Sequence, residues 1–210
     1  MTTKTYDGQT ARFLASVATC MPPLHADVMQ GWIDNPLILK NALSGLNQSI
    51  AGARNLLDPV TTVEVAGIVS FIVKEKFRER KTTDGVKVAW VGSNFENNFL
   101  GKIEKDITPT TLRIQKLKKD SSDALIIAEL GDTHETTFAH FWELLKKQGS
   151  GQEGPFLVGG YMNIAYIRDK NKVLWAVNAK WDSYAVGWSV EALSVVGPIR
   201  WYAGVQIVSR

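Results

Sequence analysis

From Pro155 to Arg210 apolar side chains recur at every second position, and that spacing fixes strands, because neighbouring residues of a strand point to opposite faces of a sheet. In the run Val173 to Trp181 the odd positions set Val173, Trp175, Val177, Ala179 and Trp181 on one face. Asn178 and Lys180 fall on the other, which is expected to meet water. Ahead of it, Tyr161 to Arg168 reads as extended, and Asp169-Lys170-Asn171-Lys172 supplies the turn of a hairpin. Gly187 to Val195 repeats the pattern with Trp188, Val190 and Ala192 on one face. Trp201 to Val208 repeats it again, with Trp201, Ala203, Val205 and Ile207 alternating against Tyr202, Gly204, Gln206 and Val208. A four-strand antiparallel meander is expected, holding four of the chain's seven Trp and four of its five Tyr.

The preceding residues have a different character. Up to Asp58 long β-branched alternations are missing, and Ala11, Leu14, Ala15 and Ala18 recur at helical spacing until Met21-Pro22-Pro23 breaks the run. A short helix is expected over Ala26 to Trp32. Asn35-Pro36 then reads as a cap with proline in the first helical position, opening a helix through Leu37, Leu39, Leu43 and Leu46. Gly45 to Arg54 reads as a linker, so residues 1–58 form a helical segment or arm and residues 59–210 a β-rich main domain, divided near Asp58-Pro59.

From Thr61, Val63, Val65, Val69, Phe71 and Val73 alternate with polar residues, and Gly67 marks a bulge or a close approach. Beyond the charged run Lys74 to Lys81, a turn at Asp84-Gly85 leads to a strand with Val86, Val88 and Trp90. Leu112 to Leu117 and Ala124 to Leu130 supply two more, while Asn94 to Glu104 fits a short helix or an irregular segment. One helix, 132–148, interrupts the strands. Asp132 and Glu135 have capping-box spacing, Phe138, Phe141, Trp142 and Leu145 share a face, and Gly149 closes the end. The expected fold class is α+β: N-terminal helices, then a mainly antiparallel sheet or partly open β-barrel carrying one packed helix.

Several strings resemble a group of uncharacterised bacterial proteins: Met29 to Pro36, Phe99 to Glu104, Ile126 to Gly131 and Arg200-Trp201-Tyr202-Ala203-Gly204. The resemblance implies a bacterial, cytoplasmic protein and carries no activity with it. Cytoplasmic placement also fits an N-terminus without the apolar core of a signal peptide, a longest apolar stretch, Val65 to Val73, too short for a bilayer, and one cysteine, Cys20. On that reading the sequon Asn47-Gln48-Ser49 is coincidental.

For chemistry the candidates are few. His134 and His140 are six apart, whereas a zinc-binding helix needs two histidines four apart, so a first-turn histidine and a solvated one are expected and no metal. Glu135 reads as a cap partner. Gly149-Ser150-Gly151-Gln152-Glu153-Gly154 spells the dinucleotide fingerprint, but it follows a helix and leads to a strand, the reverse of what a pyrophosphate site needs. It reads as a flexible connection, and no cofactor is expected. Cys20 with His25 reads as packing rather than as a nucleophile and its base.

Two sets of residues suit binding. The basic segments 74–81 and 102–119 contain Arg78, Arg80, Arg113, Lys116, Lys118 and Lys119, which would contact an anionic partner if they lay along one sheet edge, although the commoner role of such lysines is to blunt strand edges and solvate turns. Tyr161, Tyr184, Trp188 and Tyr202 are candidates for an aromatic surface, although Trp175 and Trp181 share a face with Val173 and Val177 and make the aromatic block read as core. The net charge of +3 permits an anionic partner without demanding one. The expected function is a non-enzymatic binding or interaction module with a protein partner or self-association and no membrane contact. Nucleic-acid binding through the basic segments is the main alternative. A small hydrolase, with a histidine meeting a nucleophile or carboxylate in a pocket, is the other.

Overall fold

The computed structural model describes residues 12, 15, 16, 19, 26–37, 55–197 and 199–210. The chain forms two compact units, Met1–Ser49 and Ile50–Arg210. In the first, Arg12, Ala15, Ser16 and Thr19 are helical, as the alanine spacing predicts, and α1 (Ala26–Asp34) is the expected short helix. Asn35 Oδ1 accepts from the Leu37 amide at 3.2 Å while Pro36 and Leu37 turn helical, the capping arrangement read from the sequence. The remainder of that helix, the Met21-Pro22-Pro23 break, Cys20, His25, the sequon and the linker lie outside the described residues. Among the described residues no helix is long and apolar enough to cross a membrane.

The second unit runs β1 (Leu57–Val65), β2 (Ile68–Ile72), α2 (Val73–Lys76), β3 (Lys81–Thr83), β4 (Val86–Val91), α3 (Ser93–Phe99), β5 (Ile103–Ile107) and β6 (Thr110–Leu117). It continues through β7 (Ser121–Ser122), α4 (Asp123–Leu130), a tight turn at Gly131–Thr133, α5 (Phe138–Lys147), β8 (Met162–Arg168), β9 (Leu174–Asp182), β10 (Gly187–Ser194), β11 (Arg200–Trp201) and β12 (Gln206–Ser209). Among the described residues eight of these strands form one open sheet in the order β1-β6-β12-β8-β9-β10-β4-β3. It is mostly antiparallel, with parallel pairs at β12–β8 and β10–β4. The fold is α+β as expected, and the sheet stays unclosed. Asp58 and Pro59, where a domain boundary was expected, stand inside β1.

Three strands of the expected meander are present, β8 to β10, each antiparallel to the next. The fourth is not one strand. Gly204 at φ +100° turns the chain within Trp201 to Val208, so β11 pairs with β7 while β12 crosses to lie between β6 and β8. Gly67 likewise divides the first long run. A Cβ there would stand 2.7 Å from the Ile107 carbonyl oxygen, and beyond it β2 leaves the large sheet to pair with β5. Asp84 (φ +50°) and Gly85 (φ +81°) make the expected hairpin turn between β3 and β4.

Two expectations about helices change. Ala124 to Leu130, read as a strand, is α4, since an apolar run this short has no decisive period and Ala, Leu and Glu are strong helix formers. The aromatic helix exists, but it starts at Phe138 and not at Asp132. Thr137 caps it by accepting from the His140 amide at 3.2 Å, and Glu135 faces Arg168 instead of a helix amide. Its apolar face is buried as predicted.

The sheet is also covered on both faces, where one was expected to meet water. Ala165, Ile167, Val177, Ala179, Trp188 and Val190 join the aromatic core built by Phe71, Phe95, Phe99, Phe138 and Trp142. The alternate residues Ile164, Tyr166 and Ala176 pack on the other side with Ile126, Trp201 and Val205. Asn178, taken as a mark of the wet face, is buried.

Candidate binding surface

The register of the large sheet brings much of the predicted binding set to one end. β6 finishes there at Leu117, β8 and β12 begin there, and the β9–β10 hairpin turns there. Lys116 lies on the last turn of β6, and Lys118 and Lys119 follow it, all three exposed. The next loop is tied to this strand end, with the Gly204 amide donating to Leu117 O at 2.8 Å and the Leu117 amide to Val205 O at 2.9 Å. That loop presents Tyr202, 73% exposed. Tyr161, 53% exposed, covers Gly204 so closely that a Cβ there would meet its ring at 3.1 Å. Tyr184, 99% exposed, tops the β9–β10 hairpin.

Beside Tyr184 opens a cleft of about 620 Å³, lined by Gly159, Gly160, Lys180, Trp181, Asp182 and Tyr184 among others. Neighbouring strands stand about 4.8 Å apart, so the rim from β6 to the hairpin spans roughly 15 Å. Acidic groups on this rim are turned into its loops. Asp120 Oδ1 accepts from the Ala203 amide at 2.8 Å, and Asp182 Oδ1 accepts from the amides of Tyr184 and Ala185, both at 2.9 Å. Asp58 pairs with Lys118 at 3.2 Å, and Asn55 also accepts from that lysine.

Other predicted residues fall elsewhere. Trp188 is a correction: it is fully buried, donates from Nε1 to Gln148 O at 3.1 Å and packs against Trp181 and Phe156. Arg78 and Arg80 are exposed beside β3, at the opposite edge of the sheet from β6. Six strand spacings, roughly 30 Å, separate them from Lys116, so the two basic segments do not share an edge. Arg80 Nε stands 3.4 Å from Glu79, and Lys76 bonds Asp84 Oδ2 at 2.6 Å, which holds the Asp84 carboxyl below its usual range. Arg113 is exposed further along β6.

The glycine run is a packing device, not a flexible connection. Side chains at Gly149, Gly151 and Gly154 would collide with the Gly85 carbonyl, the Trp181 ring and Gln148, at 2.2, 2.2 and 2.5 Å. The buried Gln148 amide holds the loop by donating to Gln152 O and Phe156 O and accepting from the Phe156 amide.

His140, expected to be solvated, is the first-turn histidine, while His134, expected in the first turn, precedes the helix and is half-buried. His140 is buried in the first turn of α5, bonded through Nε2 to Thr108 O at 2.9 Å. His134 precedes the helix, with Nδ1 at 2.6 Å from Gly131 O and Nε2 at 3.5 Å from Glu135. Glu135 is clamped by Arg168 Nε at 3.0 Å and by a second guanidinium nitrogen, and the Arg168 hydrogen bond holds its carboxyl below the usual range. Among the described residues no group of three or more His, Cys, Asp or Glu is placed to hold a metal.

Asp123 is among the buried carboxyls that the sequence does not reveal. Asp123, first residue of α4, accepts at Oδ1 from Tyr166 Oη at 2.8 Å and from Trp201 Nε1 at 2.7 Å. Burial pushes its carboxyl above the ordinary range against the pull of those two bonds, and burial together with the Asp123 charge raises the Tyr166 phenol. Lys180 and the Gly159-Gly160 pair were also missed, although a double glycine directly before Tyr161 signals an exposed loop. Comparison with protein-family models, curated proteins and solved structures yields no match.

Proposed function

We propose that this chain is a binding module whose ligand is single-stranded nucleic acid, taken across the rim that carries Tyr202, Tyr161 and Tyr184. The observation that carries the reading is the meeting of three exposed tyrosines with Lys116, Lys118, Lys119 and Lys180 at one end of the sheet, from four separate stretches of sequence. Exposed rings stack on bases whatever their identity, and the lysines suit the phosphates between them. The resemblance carried by strings such as Arg200 to Gly204 points to a bacterial cytoplasm as the setting.

The test is fluorescence anisotropy of a labelled oligothymidylate titrated with the full chain at low and high salt. Binding is expected at low salt. With four lysines engaged, the slope of log affinity against log salt approaches roughly −3. Replacing Tyr161, Tyr184 and Tyr202 by Ala, each exposed and outside the core, is expected to cost about 1–3 kcal/mol for each base that loses its ring. No binding at low salt, or binding unchanged by all three substitutions, would sink the proposal.

A further inference from the structure

The two edges of the large sheet are built in opposite ways. β3 is only three residues long and follows Arg78 and Arg80, so it offers little backbone and keeps strands away with charge. β1 runs nine residues and, among the described residues, pairs on one side only, with β6. Asp58, Pro59, Val60, Thr61, Thr62 and Glu64 are exposed along it. Its protection, Pro59 and a bulge between Pro59 and Thr61, is confined to the first half. From Thr61 to Val65 the pairing with β6 is regular, four of the five residues are β-branched, and lysine and arginine are missing.

We infer that the free edge of β1 pairs with β1 of a second copy of this chain, making a two-fold dimer through one continuous sheet. A two-fold contact requires a strand complementary to itself. An antiparallel pair centred on Thr62 sets Thr62 against Thr62 and Thr61 against Val63 within the regular half, and brings Glu64 of each copy to the bulge at Val60 of the other. Threonine and valine are favourable cross-strand partners, and no like charges oppose. A pair centred on Thr61 would oppose Asp58 to Glu64 and is disfavoured.

Charge completes the fit. Val60 borders two clefts, one of about 490 Å³ walled by Arg113, Ile114 and Gln115, the other of about 370 Å³ walled by Lys147, Phe156 and Gln206. In that dimer Glu64 of the second copy comes to Val60, beside the clefts that Arg113 and Lys147 help to wall.

The experiment is the solution mass of the full chain, freed of nucleic acid by nuclease and high salt, measured by light scattering and sedimentation over a wide concentration range. Twice the 23.2 kDa chain mass is expected at the upper end, with hydrogen-exchange protection of amides in Thr61 to Val65 rising with concentration. Thr62→Lys, an exposed substitution that sets two cations face to face, is expected to weaken the dimer at least about tenfold. Glu64→Lys weakens it too, and adding Arg113→Glu and Lys147→Glu restores it. A monomer at every concentration overturns the inference. So does a dimer that ignores both Thr62→Lys and Glu64→Lys, because its interface then lies elsewhere. If the exchange protection fails to rise in the unmodified chain, the inference falls without reference to any variant.

Discussion

Removing the carboxylate of Glu104 is expected to be among the costliest single changes in the second unit. Glu104 is 6% exposed on β5, yet its two oxygens reach the first turn of α5, accepting from the Phe138 amide at 3.1 Å and the Ala139 amide at 2.8 Å. It thus works alongside Thr137 as a cap supplied from another strand, on helix amides that otherwise lack partners. Lys102 Nζ sits 2.8 Å from the same carboxylate, over the Phe138 ring and beside Arg168 O. Glu104→Ala strips two amides of a charged acceptor and leaves Lys102 largely buried without its counter-charge. Breaking a buried pair from one side costs about 3–5 kcal/mol, and in a domain of this size each kcal/mol lowers Tm by about 2–4 °C, so a fall of roughly 6–20 °C is expected. Glu104→Gln keeps the shape and one acceptor and should cost about half as much. Urea denaturation followed through the tryptophans supplies both numbers. In a double-mutant cycle, Glu104→Gln with Lys102→Met should cost at least about 1 kcal/mol less than the two single changes added together. A loss below about 1 kcal/mol for Glu104→Ala, or strict additivity in the cycle, would refute the capping role.

How far the sequence reveals this structure depends on whether the deciding interaction is local. β8, β9, β10 and the Asp84-Gly85 and Asp169 hairpins are legible because alternation and turn chemistry lie within a few residues. Asp169 even closes its own turn, accepting from the amides of Asn171 and Val173 at 2.7 and 2.9 Å. The start of α5 is not legible, because Asp132 and Glu135 satisfy the capping-box spacing while Glu135 is drawn to Arg168, a residue on another strand. The same holds for α4, whose Glu129 fastens the start of β1 by accepting from the Leu56 and Leu57 amides at 2.7 and 3.0 Å. Burial of both sheet faces hid behind Asn178 and Lys180, polar residues that suggested water, yet Asn178 is buried. On the neighbouring strand Asn163 likewise bonds Leu157 and Ala179 inside the core. Of the proposed surface, the individual tyrosines and lysines are readable. Their meeting is not, since it depends on β12 crossing to lie between β6 and β8, a non-local pairing that Gly204 permits but does not announce.

The glycine run and the buried carboxyl supply two further predictions. Gly151→Ala drives a Cβ into the Trp181 ring at a residue with φ +74°, so overpacking and backbone strain together should cost about 2–4 kcal/mol by thermal melting. A neutral result would restore the reading of that run as a flexible connection. Asp123 governs a pH dependence of unusual sign. Its folded carboxyl holds a proton above the range where the unfolded one has released it, so within that window the native state binds more protons and stability falls as pH rises, until the folded carboxyl has ionised. Asp123→Ala removes this slope, and the Tyr166 hydroxyl and Trp201 indole, both donating to Oδ1, lose their shared acceptor at a cost of about 2–4 kcal/mol at low pH. Urea melts of the two proteins at pH values spanning the window decide the matter. If their stabilities run parallel across it, Asp123 does not hold the proton and the balance between its burial and its two donors has been weighed wrongly.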